Sequence, residues 1–217
     1  MMLNEWKKLI PTSILDKYEV HNFNHAVEIL SQAYRAEYQD LLEALDKFTI
    51  SVLDITSGGG NESAIPKKLS TILRPLEWQE VKITGDLLIK LHQRNLKEAK
   101  EIVINNFIDG HNIDYVKGKI ALDMEWNSKD QTFDRDLYAF RTFYECGIIS
   151  CGVILTRSES LNNVFSKLNI KNKYGASTTW MGKLLPRINA GRHGGCPLFV
   201  LGITPTVITD LEAIGCQ

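Results

Sequence analysis

Two nearly continuous apolar runs constrain the fold of this chain most strongly. They lie at residues 148 to 155 (IISCGVIL) and 197 to 203 (PLFVLGI). Such a run is typical of a strand that is covered on both faces. A helix is predicted before the first run, at residues 134 to 146 with Asp134 as its N-cap, and helix and loops fill residues 160 to 195. Together with a hairpin upstream, this order predicts an α/β domain with a central mixed sheet flanked by helices.

The remaining elements are predicted from periodicity and turn residues. We expect an amphipathic helix in the region 23 to 48 and a second helix at 64 to 76, with Pro66 in its first turn. The other predictions are a strand at 48 to 55 (FTISVLDI), a loop at 57 to 63, a strand at 78 to 83, a helix over 84 to 107 and a turn at 111 to 114 (HNID).

The distribution of charge is uneven, although the net charge is only −1. Residues 160 to 209 contain no Asp or Glu. The basic residues in this stretch are Lys167, Lys171, Lys173, Lys183, Arg187 and Arg192. A basic quarter balanced by an acidic remainder is what a DNA-facing surface predicts.

Cysteine spacing and hydropathy indicate the compartment. The four cysteines have no zinc-site spacing, so reduced, partly buried thiols are favoured over disulfides. The N-terminus has no signal-like apolar segment, and no stretch approaches the roughly 18 apolar residues of a membrane span. We therefore expect a cytoplasmic protein without a membrane partner.

Three acidic residues stand among the apolar residues of the hairpin IDYVKGKIALDMEW, residues 113 to 126. Asp123 and Glu125 are two positions apart on a predicted strand, so their side chains share a face. Asp114 stands across the turn at 117 to 119, on a strand that can pair with 120 to 126. Three carboxylates together would repel one another unless a divalent cation binds them, and Mg²⁺ prefers such oxygen ligands. A solvated strand face is the alternative interpretation of an Asp-x-Glu pair.

Two other patterns in the sequence are candidate sites. Asp54 with Glu80-Val81-Lys82 is a rival acidic site, but it lacks a matching hairpin. The loop SGGGNES at 57 to 63 lacks the ending of a phosphate-binding loop, so no nucleotide cofactor is expected. This loop can approach a DNA backbone, and its Glu62 is a candidate outer carboxylate.

The pattern Asp, eight residues, Asp, one residue, Glu resembles the PD-(D/E)xK nuclease signature with Glu in the place of Lys. That replacement is similar to type II restriction endonucleases of the BglII/BstYI group. The segments VHNFNHAVEIL (20 to 30), IPKKLSTILRPLEWQE (65 to 80) and LLPRINAGRHGGCPLFVLGITP (184 to 205) also resemble this group. The resemblance covers roughly residues 20 to 205. One departure is that the middle acid is Asp where these relatives mostly have Glu.

The resemblance implies a PD-(D/E)xK restriction-endonuclease-like fold in a single endonuclease domain, residues 1 to 217. The catalytic hairpin would span about 112 to 127. The implied protein is a homodimer of a restriction-modification system that uses Mg²⁺ to cut both strands of a short palindrome in double-stranded DNA, leaving 5′-phosphate ends. Asp114 and Asp123, with the Met124 carbonyl, would be metal ligands, and Glu125 would act on the attacking water.

Candidate DNA contacts lie in two recognition loops, at about 127 to 133 and 171 to 195. Amide and basic side chains can read base edges, and hydroxyl and basic side chains bind phosphates. An ordinary capped loop and a flexible surface loop are the alternatives, and for His193 a polar contact is favoured over a metal ligand. The predicted contacts are Asn127, Ser128, Lys129, Lys173, Ser177, Thr178, Thr179, Arg187, Arg192 and His193.

Two alternative functions stay open at this point. One is a repair or recombination nuclease of the same fold that cuts at a mismatch or an unusual structure, and the other is a DNA-binding module without catalytic activity. Discrete bands from one long DNA would favour restriction over the first. Cleavage in the presence of Mg²⁺ would argue against the second.

Overall fold

The computed structural model describes residues 5 to 57 and 64 to 212. Its strands form one six-stranded sheet with the order β1-β6-β5-β4-β3-β2. The strands are β1 (Tyr18–Phe23), β2 (Gln79–Leu91), β3 (Lys100–Lys117), β4 (Ile120–Glu125), β5 (Cys151–Arg157) and β6 (Leu198–Ile203). The helices are α1 (Thr12–Lys17), α2 (Ala26–Ala33), α3 (Arg35–Lys47), α4 (Val52–Thr56), α5 (Ala64–Leu73), α6 (Thr132–Glu145), α7 (Leu161–Lys167) and α8 (Met181–Asn189).

The sheet is mixed, as predicted. Strands β4, β5 and β6 run parallel, whereas β1 is antiparallel to β6, and β2, β3 and β4 pair antiparallel. Every residue of β5 and β6 is buried, which confirms the prediction from the two apolar runs. The fold is therefore an α/β fold with a mixed sheet flanked by helices.

One core packs on each face of the sheet. The first core joins the sheet to α2, α3, α5 and α7, and the second joins it to α6 and α8. Strand β4 contributes to both, because its side chains alternate. Leu122 and Met124 enter the first core, and Ala121 enters the second. Asp123 and Glu125 share the parity of Ala121, so they lie on the face that α6 covers.

The predicted strand at 48 to 55 is wrong, because this stretch forms helix α4. Ser51 caps the helix by accepting from the Asp54 backbone N–H, and the Asp54 carboxylate accepts from the Ser51 N–H at 2.7 Å. This capping box starts a helix despite the β-branched composition. Ile50 makes only an isolated bridge, with Ile208.

The predicted helix over 84 to 107 and the predicted turn at 111 to 114 are also wrong. Both stretches belong to the long antiparallel hairpin of β2 and β3. Burial along β2 alternates between exposed and half-buried positions, and β3 carries the β-branched run Ile102-Val103-Ile104. These are strand features. The outer part of the hairpin exposes apolar side chains, including Leu88, Leu96, Val103 and Phe107.

Other boundaries differ in detail. The helical region at 23 to 48 begins after β1 and divides at Tyr34 into α2 and α3. Helix α6 begins at Thr132, so Asp134 lies in its first turn and is not the N-cap. The helix at 64 to 76 is confirmed as α5 followed by a 3₁₀ turn at Arg74–Leu76.

Two further sequence predictions concern thiols and membranes. Cys146, Cys151 and Cys196 are free, and Cys216 lies outside the described residues. Within residues 5 to 57 and 64 to 212, helices are too short or too polar to cross a bilayer.

Candidate active site

The hairpin of β3 and β4 positions the acidic residues. Its register pairs Tyr115 with Leu122 and Lys117 with Ile120, across a turn in which Gly118 has φ +54°. Continuing this register places Asp114 opposite Asp123, as the sequence predicts. The Asp114 backbone N–H donates to Oδ1 of Asp123 at 2.7 Å.

A β-bulge accompanies this contact. Strand β2 pairs Gln79 with Val116 but Val81 with Ile113, so β3 has one extra residue between Ile113 and Val116. A bulge leaves a backbone group outside the regular ladder and redirects a side chain, and bulges are common beside active sites. The Asp114 N–H that donates to the Asp123 carboxylate lies within this bulge.

The acids line one cleft of about 300 Å³. The lining residues are Glu80, His111, Asn112, Asp114, Asp123, Glu125 and Arg135. Glu80 is held by the side-chain amide of Asn112, which donates to its Oε1 at 3.0 Å. The structure therefore brings Asp114, Asp123 and Glu125 together on the α6 side of the sheet.

The acids of β4 are buried, and their charge is poorly compensated. Asp123 is 5% exposed and Glu125 is 7% exposed. Burial raises the pKa of Asp123 well above its usual range, and the neighbouring Asp114 carboxylate adds to the shift. Burial also raises the pKa of Glu125. Removing carboxylates from water is unfavourable without a nearby cation, so the site favours either protons or a bound cation.

Helix α6 adds two charged residues that sequence reasoning missed. Arg135 donates to Oδ1 of Asp136 at 3.1 Å and lies 3.8 Å from Oε1 of Glu125. Asp136 is only 3% exposed, and burial together with Asp123 and Glu125 raises its pKa to about 9. A signal was present in the sequence. Asp136 shares a helix face with Phe133 and Phe140, which are both buried, so an acid was placed on an apolar face.

The donor set suits a hard divalent cation. Three buried carboxyl oxygens have no hydrogen-bond partner: Asp123 Oδ2, Glu125 Oε2 and Asp136 Oδ2. Oxygen donors of this kind are the ligands that Mg²⁺ takes. In the described part of the chain, no group of three or more His, Cys, Asp or Glu side chains is already arranged to hold a metal ion.

The other proposed acids have separate places. Asp54 caps α4 and pairs with Lys68, whereas Glu80 faces the acidic cleft, so the rival pair is not assembled. Glu62 and the rest of residues 58 to 63 lie outside the described residues. The Met124 side chain packs in the first core, and a ligand role for its carbonyl stays a prediction.

The two predicted recognition segments lie against each other. Lys129 and Thr178 form an antiparallel bridge. The Thr179 N–H donates to the Ser128 carbonyl at 2.9 Å, and the Asp130 N–H donates to the Ser177 carbonyl at 2.9 Å. Because residues 127 to 130 follow β4 directly, this ladder begins next to Glu125.

The predicted DNA contacts differ in exposure. Ser128, Lys129 and Ser177 are exposed and Thr178 is half-buried, whereas Thr179 and His193 are buried. Asn127 donates to the Lys173 carbonyl at 3.2 Å. The Lys173 ammonium donates to the carbonyls of Ile55 and Ser57, so it ties the loop to the end of α4. DNA roles for all these residues stay predictions.

Acidic residues from the segment after β4 form ion pairs with several basic residues of the stretch 160 to 209. Arg187 lies 3.1 Å from Asp134 and 3.4 Å from Asp130, and Arg192 also pairs with Asp134. Although burial acts the other way, hydrogen bonds from Arg192 and Arg187 hold the pKa of Asp134 below its usual range. The acid-free stretch is therefore not an uncompensated surface, because Asp130 and Asp134 come from elsewhere in the chain.

Comparison with known proteins agrees with the fold and the cleft. The family model described as restriction endonuclease BglII/BglIII matches residues 18 to 203, which is most of the chain. A comparison of the chain with curated proteins gives no match. The chain therefore belongs to the BglII/BglIII restriction endonuclease family and is a sequence-specific, type II deoxyribonuclease.

Proposed function

We propose that this enzyme hydrolyses one phosphodiester in each strand of a short palindromic DNA site in a Mg²⁺-dependent reaction that leaves 5′-phosphate and 3′-hydroxyl ends. The observation that carries this proposal is the convergence of Asp114, Asp123 and Glu125 in one cleft. Two of these acids are buried and have carboxyl oxygens without hydrogen-bond partners.

Asp114 and Asp123 are the proposed cation ligands, with the Met124 carbonyl as a further donor. A bound Mg²⁺ supplies Lewis-acid stabilisation of the charge that develops on the scissile phosphate. The hydrogen bond from the Asp114 N–H fixes Oδ1 of Asp123, and Oδ2, which has no hydrogen-bond partner among the described residues, is the proposed donor to the cation. The backbone therefore sets the orientation of the carboxylate before any ligand arrives.

Glu125 is the proposed residue that orients the attacking water and accepts its proton. Its raised pKa moves the carboxylate toward the range in which a general base works at neutral pH. The Arg135 guanidinium lies 3.8 Å from Oε1 of Glu125. Because the Arg135 side chain is 64% exposed, it can turn between Glu125 and an incoming phosphate.

Base reading is proposed for the ladder of residues 127 to 130 and 177 to 179. The ladder begins next to Glu125, so a side chain that reads a base edge is held at a fixed distance from the cut bond. Ser128, Lys129 and Ser177 are its exposed members. Side chains of these kinds form the polar contacts that proteins make with base edges and phosphates.

A homodimer is proposed because a palindrome presents the same half-site twice about a two-fold axis. The outer side of α6 and the residues after it expose large apolar side chains: Tyr138 is 51% exposed, Tyr144 37% and Ile148 45%. Aromatic residues are enriched in protein interfaces. Helix α6 also carries Arg135 and Asp136, so such an interface would adjoin both cleavage sites.

Digestion of one long DNA tests the proposal. We expect discrete bands with Mg²⁺ and none with a chelator, and run-off sequencing of the ends should give one symmetrical site. Smearing, or cutting only at mismatches or junctions, would contradict sequence-specific cleavage. Binding without cutting in every divalent cation would contradict the catalytic role of the acidic cleft.

A further inference from the structure

A buried guanidinium stands at the end of β5, away from the acidic cleft. Arg157 is 2% exposed. Its Nε donates to the Thr179 carbonyl at 3.0 Å, and its Nη2 donates to the Thr178 hydroxyl at 2.6 Å. Among the described residues, no carboxylate lies within 4.0 Å of it. A buried charge without an opposite charge is unusual, because removing an ion from water is strongly unfavourable unless a partner compensates it.

Aromatic rings surround the charge but do not neutralise it. The guanidinium carbon lies 5.0 Å from the ring centre of Tyr174, 5.5 Å from that of Phe165 and 6.0 Å from that of Trp126. Cation–π contacts attract the charge, but they do not replace an opposite charge or hydrogen-bond acceptors for the remaining N–H groups. Burial lowers the pKa of Arg157 only to about 10, so the group is charged at neutral pH.

Arg157 lines a cavity whose described lining residues include no acid. The cavity has a volume of about 300 Å³, and its other lining side chains include Asn162, Lys171 and Trp180. Lys171 is exposed, and its ammonium group has no hydrogen bond or ion pair with residues 5 to 57 or 64 to 212. Two cations, one amide and an aromatic wall, with no carboxylate among them, form a surface for an anion.

We propose that Arg157 and Lys171 form a binding site for a phosphate group, supplied by the DNA backbone beside the recognised bases. The DNA source rests on the proposed function. DNA is the expected source because Arg157 donates hydrogen bonds to Thr178 and Thr179. These two residues pair with Lys129 and Ser128 in the proposed base-reading ladder. A DNA phosphate bound in the cavity would lie beside one end of that ladder. Its contact with Arg157 and Lys171 would therefore position the DNA so that the ladder faces a defined set of bases.

The primary test removes the exposed half of the site. Lys171→Ala, compared with Lys119→Ala as the control, is titrated with a short mixed-sequence duplex and with the cognate duplex, in a chelator, over a range of salt concentrations. Lys119 is also exposed but lies in the turn before β4, at the opposite end of that strand from Glu125. A lost phosphate contact reduces the slope of log K against log salt by about 1 per chain and weakens both duplexes equally.

A second variant addresses the buried half. Arg157→Lys keeps the charge but loses the planar fork, so we expect folded protein with normal circular dichroism and a DNA affinity lower by about tenfold or more. If Arg157→Lys fails to fold, Lys171→Ala alone decides. Unchanged salt slopes and affinities in Lys171→Ala would overturn the DNA assignment.

Inorganic phosphate distinguishes the two sources of the ligand. If millimolar phosphate raises the melting temperature of the DNA-free protein more than chloride at equal ionic strength, and Lys171→Ala abolishes this increase while DNA binding is unchanged, the site takes the free ion. If Lys171→Ala changes neither the DNA affinity nor the increase in melting temperature with phosphate, the site does not exist. Wild-type protein that cuts at one sequence in the same preparation shows that the proposed function stands even when this inference fails.

Discussion

The backbone N–H of Asp114 donates to Oδ1 of Asp123 at 2.7 Å across the β3–β4 hairpin. One oxygen of Asp123 is thereby fixed by the protein, and the other, Oδ2, has no partner. The contact lies within a bulge of β3, which has one extra residue between Ile113 and Val116 relative to β2. A backbone irregularity therefore adjoins a proposed metal ligand.

Asp123→Asn should abolish cleavage and leave the fold intact. The amide oxygen of Asn can still accept from Asp114, but the charge that attracts a cation is lost. A cation that stabilises the transition state by several kcal/mol corresponds to a rate loss on the order of 10³-fold or more. Cleavage rate, DNA affinity and melting temperature are the measurements.

In the same variant, the metal-free protein should melt no lower than wild type, because a buried charge beside Asp114 has been removed. Specific DNA binding should be kept. A variant that still cuts at the wild-type rate would show that Asp123 does not hold the proposed cation. An unfolded variant would mean instead that the residue is structural.

The metal-free protein should lose stability as pH rises. The folded pKa of Asp136 is about 9, far above the usual value of 3.8, and those of Asp123 and Glu125 are also raised. Between about pH 4 and pH 9 the folded state therefore binds more protons than the unfolded state. The stability that these protonated acids contribute is fully present below about pH 4 and is lost as the pH rises towards 9. Urea unfolding from pH 5 to 9 in a chelator measures the slope.

Two comparisons check the origin of this slope. Asp136→Asn should flatten it, because the group with the raised pKa is removed. Saturating Mg²⁺ or Ca²⁺ should also flatten it, since a bound cation replaces the protons. An equal slope in Asp136→Asn and wild type would show that the buried acids do not control stability.

Arg135→Gln should tighten divalent-cation binding to the DNA-free enzyme. Arg135 lies 3.8 Å from Glu125 and 3.1 Å from Asp136, so its charge opposes a second cation in the cleft. We expect a several-fold lower Kd for Ca²⁺ by calorimetry. Arg141→Gln is a matched control on α6, because Arg141 pairs with Glu145 instead. Weaker Ca²⁺ binding in Arg135→Gln would mean that Arg135 organises the carboxylates.

Asp134→Ala should strengthen non-specific DNA binding. It releases Arg192 and frees part of the Arg187 charge, so the salt slope should increase by about 1 per chain. The stability cost should be about 1 kcal/mol, because the pairs are partly exposed. Asp16→Ala, an exposed acid on α1, is the control. An unchanged slope would place Arg187 and Arg192 away from the DNA.

The sequence predicted the parts of the fold that local patterns specify. The two apolar runs became β5 and β6, and alternation across a Lys-Gly-Lys turn placed Asp114 near Asp123 and Glu125. The hairpin at 79 to 117 was missed because the apolar side chains of its outer part are exposed. Their spacing along the chain therefore does not report which face of the element is buried. Helix α4 was missed because the capping box of Ser51 and Asp54 outweighs β-branched composition.

The site was predicted less completely than the fold. Asp136 and Arg135 join it only because α6 packs across the second face of the sheet, which is a tertiary fact. The pairing of Arg187 and Arg192 with Asp134 joins residues 53 and 58 positions apart, beyond any local pattern. Charge counted along the chain therefore overstated the free positive surface.

Anomalous diffraction from a crystal soaked in Mn²⁺ tests the central claim most directly. We expect a peak within bonding distance of carboxylate oxygens from both Asp114 and Asp123, with Glu125 close by. A peak bound elsewhere, with Asp114 turned away from Asp123, would contradict a shared cation in this cleft.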